Sequence, residues 1–83
     1  MEQYIGYASM QIDGQIVQGE GELHETDAAM AAAILHDATD RFAKLGPLPS
    51  REDLRRALPP NGARNALDAM LWDRDCKAAR RRA

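Results

Sequence analysis

The start of the chain alternates in a strand-like way: Tyr4, Ile5, Tyr7, Met10 and Ile12, then Asp13-Gly14, then Ile16 and Val17. Asp-Gly between two such runs is a strong hairpin signal, because both central residues of a type I′ turn need positive φ. Strands are predicted over 3–12 and 15–22, forming one antiparallel β-hairpin over 3–22. Gly19 and Gly21 are expected to loosen the end of the second strand. The run Gly19-Glu20-Gly21-Glu22 is no phosphate-binding GxGxxG, since the last glycine is missing.

Beyond Glu25 the period changes from two to nearly four. Met30, Ile34, Ala38, Phe42 and Leu45 recur at helical spacing, Thr26 or Asp27 can cap the start, and Gly46-Pro47 supplies the stop, so a helix is predicted over 26–45. A shorter helix over 50–58 opens on Ser50 with Asp53 in a capping-box arrangement and ends before Pro59-Pro60. A third, over 61–81, has Asn61 as its N-cap and an apolar face of Ala63, Ala66, Leu67, Met70, Leu71 and Ala78. Arg64 with Asp68, and Asp73 with Lys77, stand one helical turn apart and can pair. The fold class is therefore α+β, an antiparallel β-hairpin followed by three α-helices in a single domain over 1–83. Two strands are marginal in water, so the hairpin needs a third strand or a helix laid across it.

Composition adds limits. The chain has 83 residues, enough for one small core, and burial of roughly 60% of the unfolded surface makes such a domain marginal without a partner, metal or disulfide. Cys76 is the single cysteine, which removes an internal disulfide and a paired-thiolate zinc site and points to a reducing, cytoplasmic setting. The longest apolar-rich run, 28–35, is too short to span a membrane. Net charge is −2, so no global field draws nucleic acid, and Arg80, Arg81 and Arg82 serve the C-terminal dipole of the last helix.

No catalytic constellation can be assembled from these residues. His24 and His36 are the only histidines. His36 and Asp40 can share a helix face, but a metal site needs a third ligand. Cys76 reads as a small apolar residue in an arginine-flanked helix. Lys44 and Lys77 sit at helix-terminal or exposed positions, where neither is desolvated into a base.

The stretch Gly62, Ala63, Arg64, Asn65, Ala66, Leu67, Asp68, Leu71, Trp72 and Asp73 resembles the G-A-R-N-A-L-D-x-x-L-W-D pattern of the dipeptide (Ala-Glu) epimerases of the enolase superfamily, the group that includes mandelate racemase and muconate lactonizing enzyme. Gly19 to Glu22 is similar to the family's G-x-G-E strand end, Glu25-Thr26 to the start of its first helix, and the segment from Leu48 to Pro60 to its short middle helix. The resemblance implies an N-terminal capping domain, a three-stranded antiparallel sheet followed by helices. It also implies a first strand before Glu2, which this sequence does not contain, so the sheet is expected to be incomplete.

In that family a (β/α)₈ barrel carries the magnesium carboxylates and two lysines that move the α-proton, and none of these positions exists in this sequence. The expected function is a detached capping domain without catalytic residues or a cofactor of its own, and the alternative is a small oligomerising or interaction module that retains the cap fold. Leu23, His24 and Glu25 are the candidates for a substrate-closing loop, here very short. Tyr4, Ala66, Met70 and Leu71 are the candidates for a partner interface. The expected partner is a second copy or a separate barrel chain, with neither nucleic acid nor membrane.

Overall fold

The computed structural model describes residues 2–47 and 49–82. Among them are two strands, β1 (Glu2–Ile12) and β2 (Gln15–Glu25), and three helices, α1 (Ala28–Ala43), α2 (Arg51–Ala57) and α3 (Gly62–Arg82). The strands form a two-stranded antiparallel sheet in continuous register from Glu2↔Glu25 to Ile12↔Gln15. Asp13 and Gly14 join them with φ of 49° and 78°, the pair of positive angles that the Asp-Gly signal requires. The fold is the expected α+β hairpin with three helices. Its second strand is longer than expected, running through Leu23 and His24 to Glu25.

The helix ends follow the local chemistry. Asp27 caps α1 by accepting from the Met30 N–H at 2.8 Å. At α2 the box is reciprocal: Ser50 Oγ accepts from the Asp53 N–H, and the Asp53 carboxylate accepts from the Ser50 N–H, each at 3.0 Å. These bonds hold the Asp53 carboxyl below its usual range. Asn61 Oδ1 accepts from the Arg64 N–H at 2.9 Å to open α3.

One face of the hairpin is covered by helices. Val17 and Leu23 from β2, Ala31 and Ala38 from α1, Leu54 and Leu58 from α2, and Ala63, Ala66, Leu67, Met70 and Leu71 from α3 are buried. Of the expected stripe Ile34, Ala38, Phe42 and Leu45 turn inward, joined by Ala31 and Leu35, while Met30 is exposed. Ala78 is exposed too, because the core ends at Leu71 and the last turns of α3 run on beside the hairpin tip.

The closest packing joins α3 to β2. A Cβ placed on Gly19 would stand 2.3 Å from the Met70 nitrogen and 2.4 Å from the Ala66 oxygen, and one on Gly21 would stand 2.1 Å from the Gly62 oxygen. One on Gly62 would meet the Glu22 oxygen at 1.8 Å. The obstacles are backbone, so no rotamer change can make room. Gly19 and Gly21 therefore do not loosen the end of β2, as alternation alone suggested. They share its helix-facing side and let a helix backbone lie on a strand backbone.

Along this seam α3 runs opposite to β2. Gly62 meets Glu22, Met70 meets Gly19, Asp73 accepts from the Gln18 N–H at 3.0 Å, and Lys77 Nζ donates to the Ile16 carbonyl at 2.7 Å. Fifteen helical residues rise about 22 Å, and the strand from Glu22 back to Ile16 spans about 20 Å, so the two backbones stay matched along the whole contact.

The short helix α2 is tied to α3 by charge. Arg51 donates two hydrogen bonds to the Asp68 carboxylate, at 3.0 and 2.9 Å, and Arg55 approaches it at 3.7 Å. The Arg51 guanidinium also lies 4.7 Å from the centre of the Trp72 ring. Asp68 was expected to pair with Arg64 on the same helix. Instead it faces α2, where the planar fork of Arg51 offers two bonds, and Arg64 donates to the Leu58 carbonyl at 3.4 Å. Arg74 ties down the start of α2 by donating to the Pro49 carbonyl at 2.6 Å. The expected Asp73–Lys77 pair forms at 3.1 Å.

Two predictions follow from these contacts. Gly19→Ala forces α3 off β2 and is expected to lower the unfolding free energy by about 3 kcal/mol or to unfold the domain. By contrast Gln11→Ala, on the exposed face, should change it by less than about 0.5 kcal/mol. Urea titrations followed by circular dichroism compare the two, and a Gly19→Ala chain as stable as its parent contradicts the seam.

The second concerns Asp68, whose carboxyl is held below the usual range chiefly by the Arg51 hydrogen bonds, which outweigh the opposing effect of burial, with the charges of Arg51, Arg55 and Arg64 adding to them. Its contribution is complete above the unfolded carboxylate pKa of about 3.9 and is lost as pH falls through the lower folded value. Asp68→Asn should cost about 1–2 kcal/mol at pH 7, and the gap to the parent should narrow below about pH 4. A gap that stays constant down to pH 2 would remove the ion pair as its cause.

Candidate functional site

The residues expected to form a closing loop do not form one. Leu23 is a buried strand residue, 2% exposed, and His24 and Glu25 continue β2 in register with Gln3 and Glu2. Pairing with β1 over its whole length holds this segment extended, so there is no short connection there to fold over a ligand. His24 points to the exposed side of the sheet, 3.6 Å from the Glu22 carboxylate.

The interface candidates divide. Ala66, Met70 and Leu71 are core residues, each at most 1% exposed, because the glycine seam brings α3 down onto β2 and covers that face. They present no surface to a partner, and a charge at Met70 would disrupt folding rather than probe an interface. Tyr4 is half-buried on β1, and its hydroxyl donates to the Glu2 carboxylate at 2.6 Å, which pushes its pKa up to about 12.

The remaining candidates stay apart. His36 is exposed on α1 and Cys76 is half-buried on α3. Among the described residues no three His, Cys, Asp or Glu side chains converge to hold a metal ion. No helix of the described residues is long and apolar enough to cross a membrane. Of the basic cluster at the end of α3, the side chains of Arg81 and Arg82 lie outside the described residues.

What the fold does present is an open sheet edge. The Gln18 N–H and the Ile16 carbonyl point away from β1, toward Asp73 and Lys77. In an antiparallel ladder the residues opposite them, Ser9 and Gln11, then point their backbone groups away from β2, and so do Gln3, Ile5 and Tyr7 at the same parity. The two edges of the hairpin are therefore treated differently. The β2 edge is met by the Asp73 carboxylate, held below its usual range chiefly by the Gln18 N–H and then by Lys77, and by Lys77 itself. The β1 edge has no third strand beside it among the described residues.

A depression lies on each side of that edge. On the helix side a cavity of about 290 Å³ is walled by Met10, Leu35, Ala38, Phe42, Leu67 and Met70. On the outer side one of about 360 Å³ is walled by Gln18, Gly19 and Glu20. Tyr7, Ala8 and Ser9 line both, so the middle of β1 is a ledge between two hollows. Tyr7 stands 76% exposed on it, and Ile5 and Ile16 add apolar surface to the same outer face.

Backbone donors and acceptors between an apolar hollow on the helix side and one lined by more polar residues outside suit the binding of an extended strand, with alternate side chains entering opposite sides. An incomplete sheet was expected from the resemblance, whereas the hollows left no mark in the hydrophobic pattern. The signal for the glycine seam was present: Gly19 and Gly21 fall on one strand face, and Gly62 and Ala66 are four apart on one helix face. Comparison of the chain with protein-family models, with curated proteins and with solved structures gives no match.

Proposed function

We propose that the chain is a capping-type domain, of the kind its resemblance to dipeptide epimerases implies, which acts by docking against another protein body and contributes no acid, base or metal ligand to a reaction. The observation that carries this reading is what the motif on α3 does. Gly62 lies against the Glu22 carbonyl, and Ala63, Ala66, Leu67 and Leu71 fill the core. Asp68 holds Arg51, and Asp73 holds the Gln18 N–H. Nearly every side chain of the motif is used in holding three helices and a hairpin together. A motif consumed in this way is a scaffold signature, and chemistry at an α-carbon would have to come from the other body.

The alternative, an interaction module that keeps only the cap fold, is favoured by a separate observation, the open edge of β1 between its two hollows.

Incubation with an Ala-Glu dipeptide and excess magnesium in deuterated buffer is the test, read as loss of the α-proton signal by NMR. The purified chain is expected to leave that signal at the buffer rate. Added to a dipeptide-epimerase barrel stripped of its own cap, it is expected to raise exchange above that of the barrel alone. Exchange by the chain alone that survives repurification and is lost on mutating it would overturn the absence of catalysis, and no rise with the barrel would overturn docking.

A further inference from the structure

We propose that the β1 edge is a self-association surface, on which a second copy of the chain pairs its own β1 antiparallel to make a continuous four-stranded sheet. The backbone groups of Gln3, Ile5, Tyr7, Ser9 and Gln11 point outward along an uninterrupted register without a bulge. Sheet edges in soluble monomers are protected by charged side chains, prolines, bulges or a covering element. From Gln3 to Ile12 there is no charged residue and no proline. The hairpin applies such protection to β2, through α3, while among the described residues no strand pairs with the outer edge of β1.

Charge selects the occupant. A neutral edge offers nothing to attract a charged peptide, and it brings no like charges together when it meets its own copy. The carboxylates of the outer face, Glu20 and Glu22, both lie on β2. In the paired sheet the two β2 strands would be three strand spacings apart, about 14 Å, which exceeds the screening length of about 8 Å at physiological salt. Their repulsion is therefore weak.

Parity and shape set the register. Outward-pointing residues must meet outward-pointing residues, and a two-fold axis at Tyr7 uses all of them: Tyr7 meets the partner's Tyr7, Ile5 meets the partner's Ser9, and Gln3 meets the partner's Gln11. Helix-facing residues then also align, with Ala8 beside the partner's Gly6 and Met10 beside the partner's Tyr4. That last pairing brings an aromatic ring to the Met10 wall of the helix-side cavity. The small residues Gly6 and Ala8 leave the centre uncrowded. Such an isologous contact closes on itself and leaves the edges covered by α3 outermost.

This inference does not rest on the capping role, since it involves this chain alone and its test contains neither barrel nor substrate. Light scattering coupled to size exclusion at about 100 µM should give a dimer. Hydrogen exchange should show the Ile5, Tyr7 and Ser9 amides protected at that concentration and open on dilution. Ser9→Pro removes one outward N–H at an edge position that tolerates proline, and should raise the dimer dissociation constant at least about 100-fold while helical circular dichroism is retained.

Tyr7→Lys places two ammonium groups together at the axis. It should raise the constant at least about 10-fold, less so at high salt. It changes a side chain that is already exposed, so it keeps the test valid if the proline variant fails to fold. A monomer at about 100 µM overturns the proposal. So does a dimer in which those amides exchange freely, or one that survives these substitutions.

Discussion

The structure depends on one contact, the direct approach of the α3 backbone to the β2 backbone through Gly19, Gly21 and Gly62. A hairpin of two strands has too little apolar surface to stand alone in water. Here the missing layer is a helix lying along one strand at a distance that any Cβ would forbid. Dispersion attraction falls off steeply with separation, so this closeness lets small residues such as Ala63 and Ala66 contribute to a core that has few large ones.

The rest of the domain is arranged around that seam. Because α3 sits over β2, its inward stripe covers Val17 and Leu23, and Asp73 and Lys77 reach the outer backbone edge of the strand. Asp68 is left facing sideways, where α2 meets it with Arg51. The short helix has only seven residues and buries a single leucine within its bounds, so its position rests on this charged pair, its capping box and the Arg74 bond to Pro49 as much as on apolar burial. The same offset of α3 toward β2 leaves β1 with an open edge and the helix-side cavity beneath it. The strength of one edge and the vacancy of the other have one cause.

The motif that suggested an epimerase cap becomes physically legible in this light. Its glycine and alanines belong to the seam, its leucines to the core, and its two aspartates to bonds that orient α2 and the strand edge. Trp72 alone among its large apolar letters stays outside, 57% exposed, with Arg51 over its ring. A capping domain and an interaction module place the same demands on such a helix, which is why the motif speaks to architecture more directly than to activity.

Features that depend on neighbours along the chain were legible from its residues alone. The Asp13-Gly14 turn, the Ser50–Asp53 box, the Asn61 cap and the Asp73–Lys77 pair involve groups within four residues of each other, and each forms where local chemistry placed it. Tertiary structure decided everything that joins distant segments. It carried Leu23, His24 and Glu25 into the ladder, because pairing with the start of β1 stabilises extended backbone past the glycines. It buried Ala66, Met70 and Leu71, turned Asp68 toward Arg51 instead of Arg64, and made two glycines a contact surface. Periodicity reveals which face of a helix or strand is buried. It does not reveal what lies opposite or how near, and nearness between backbones far apart in the chain is the quantity on which this fold turns.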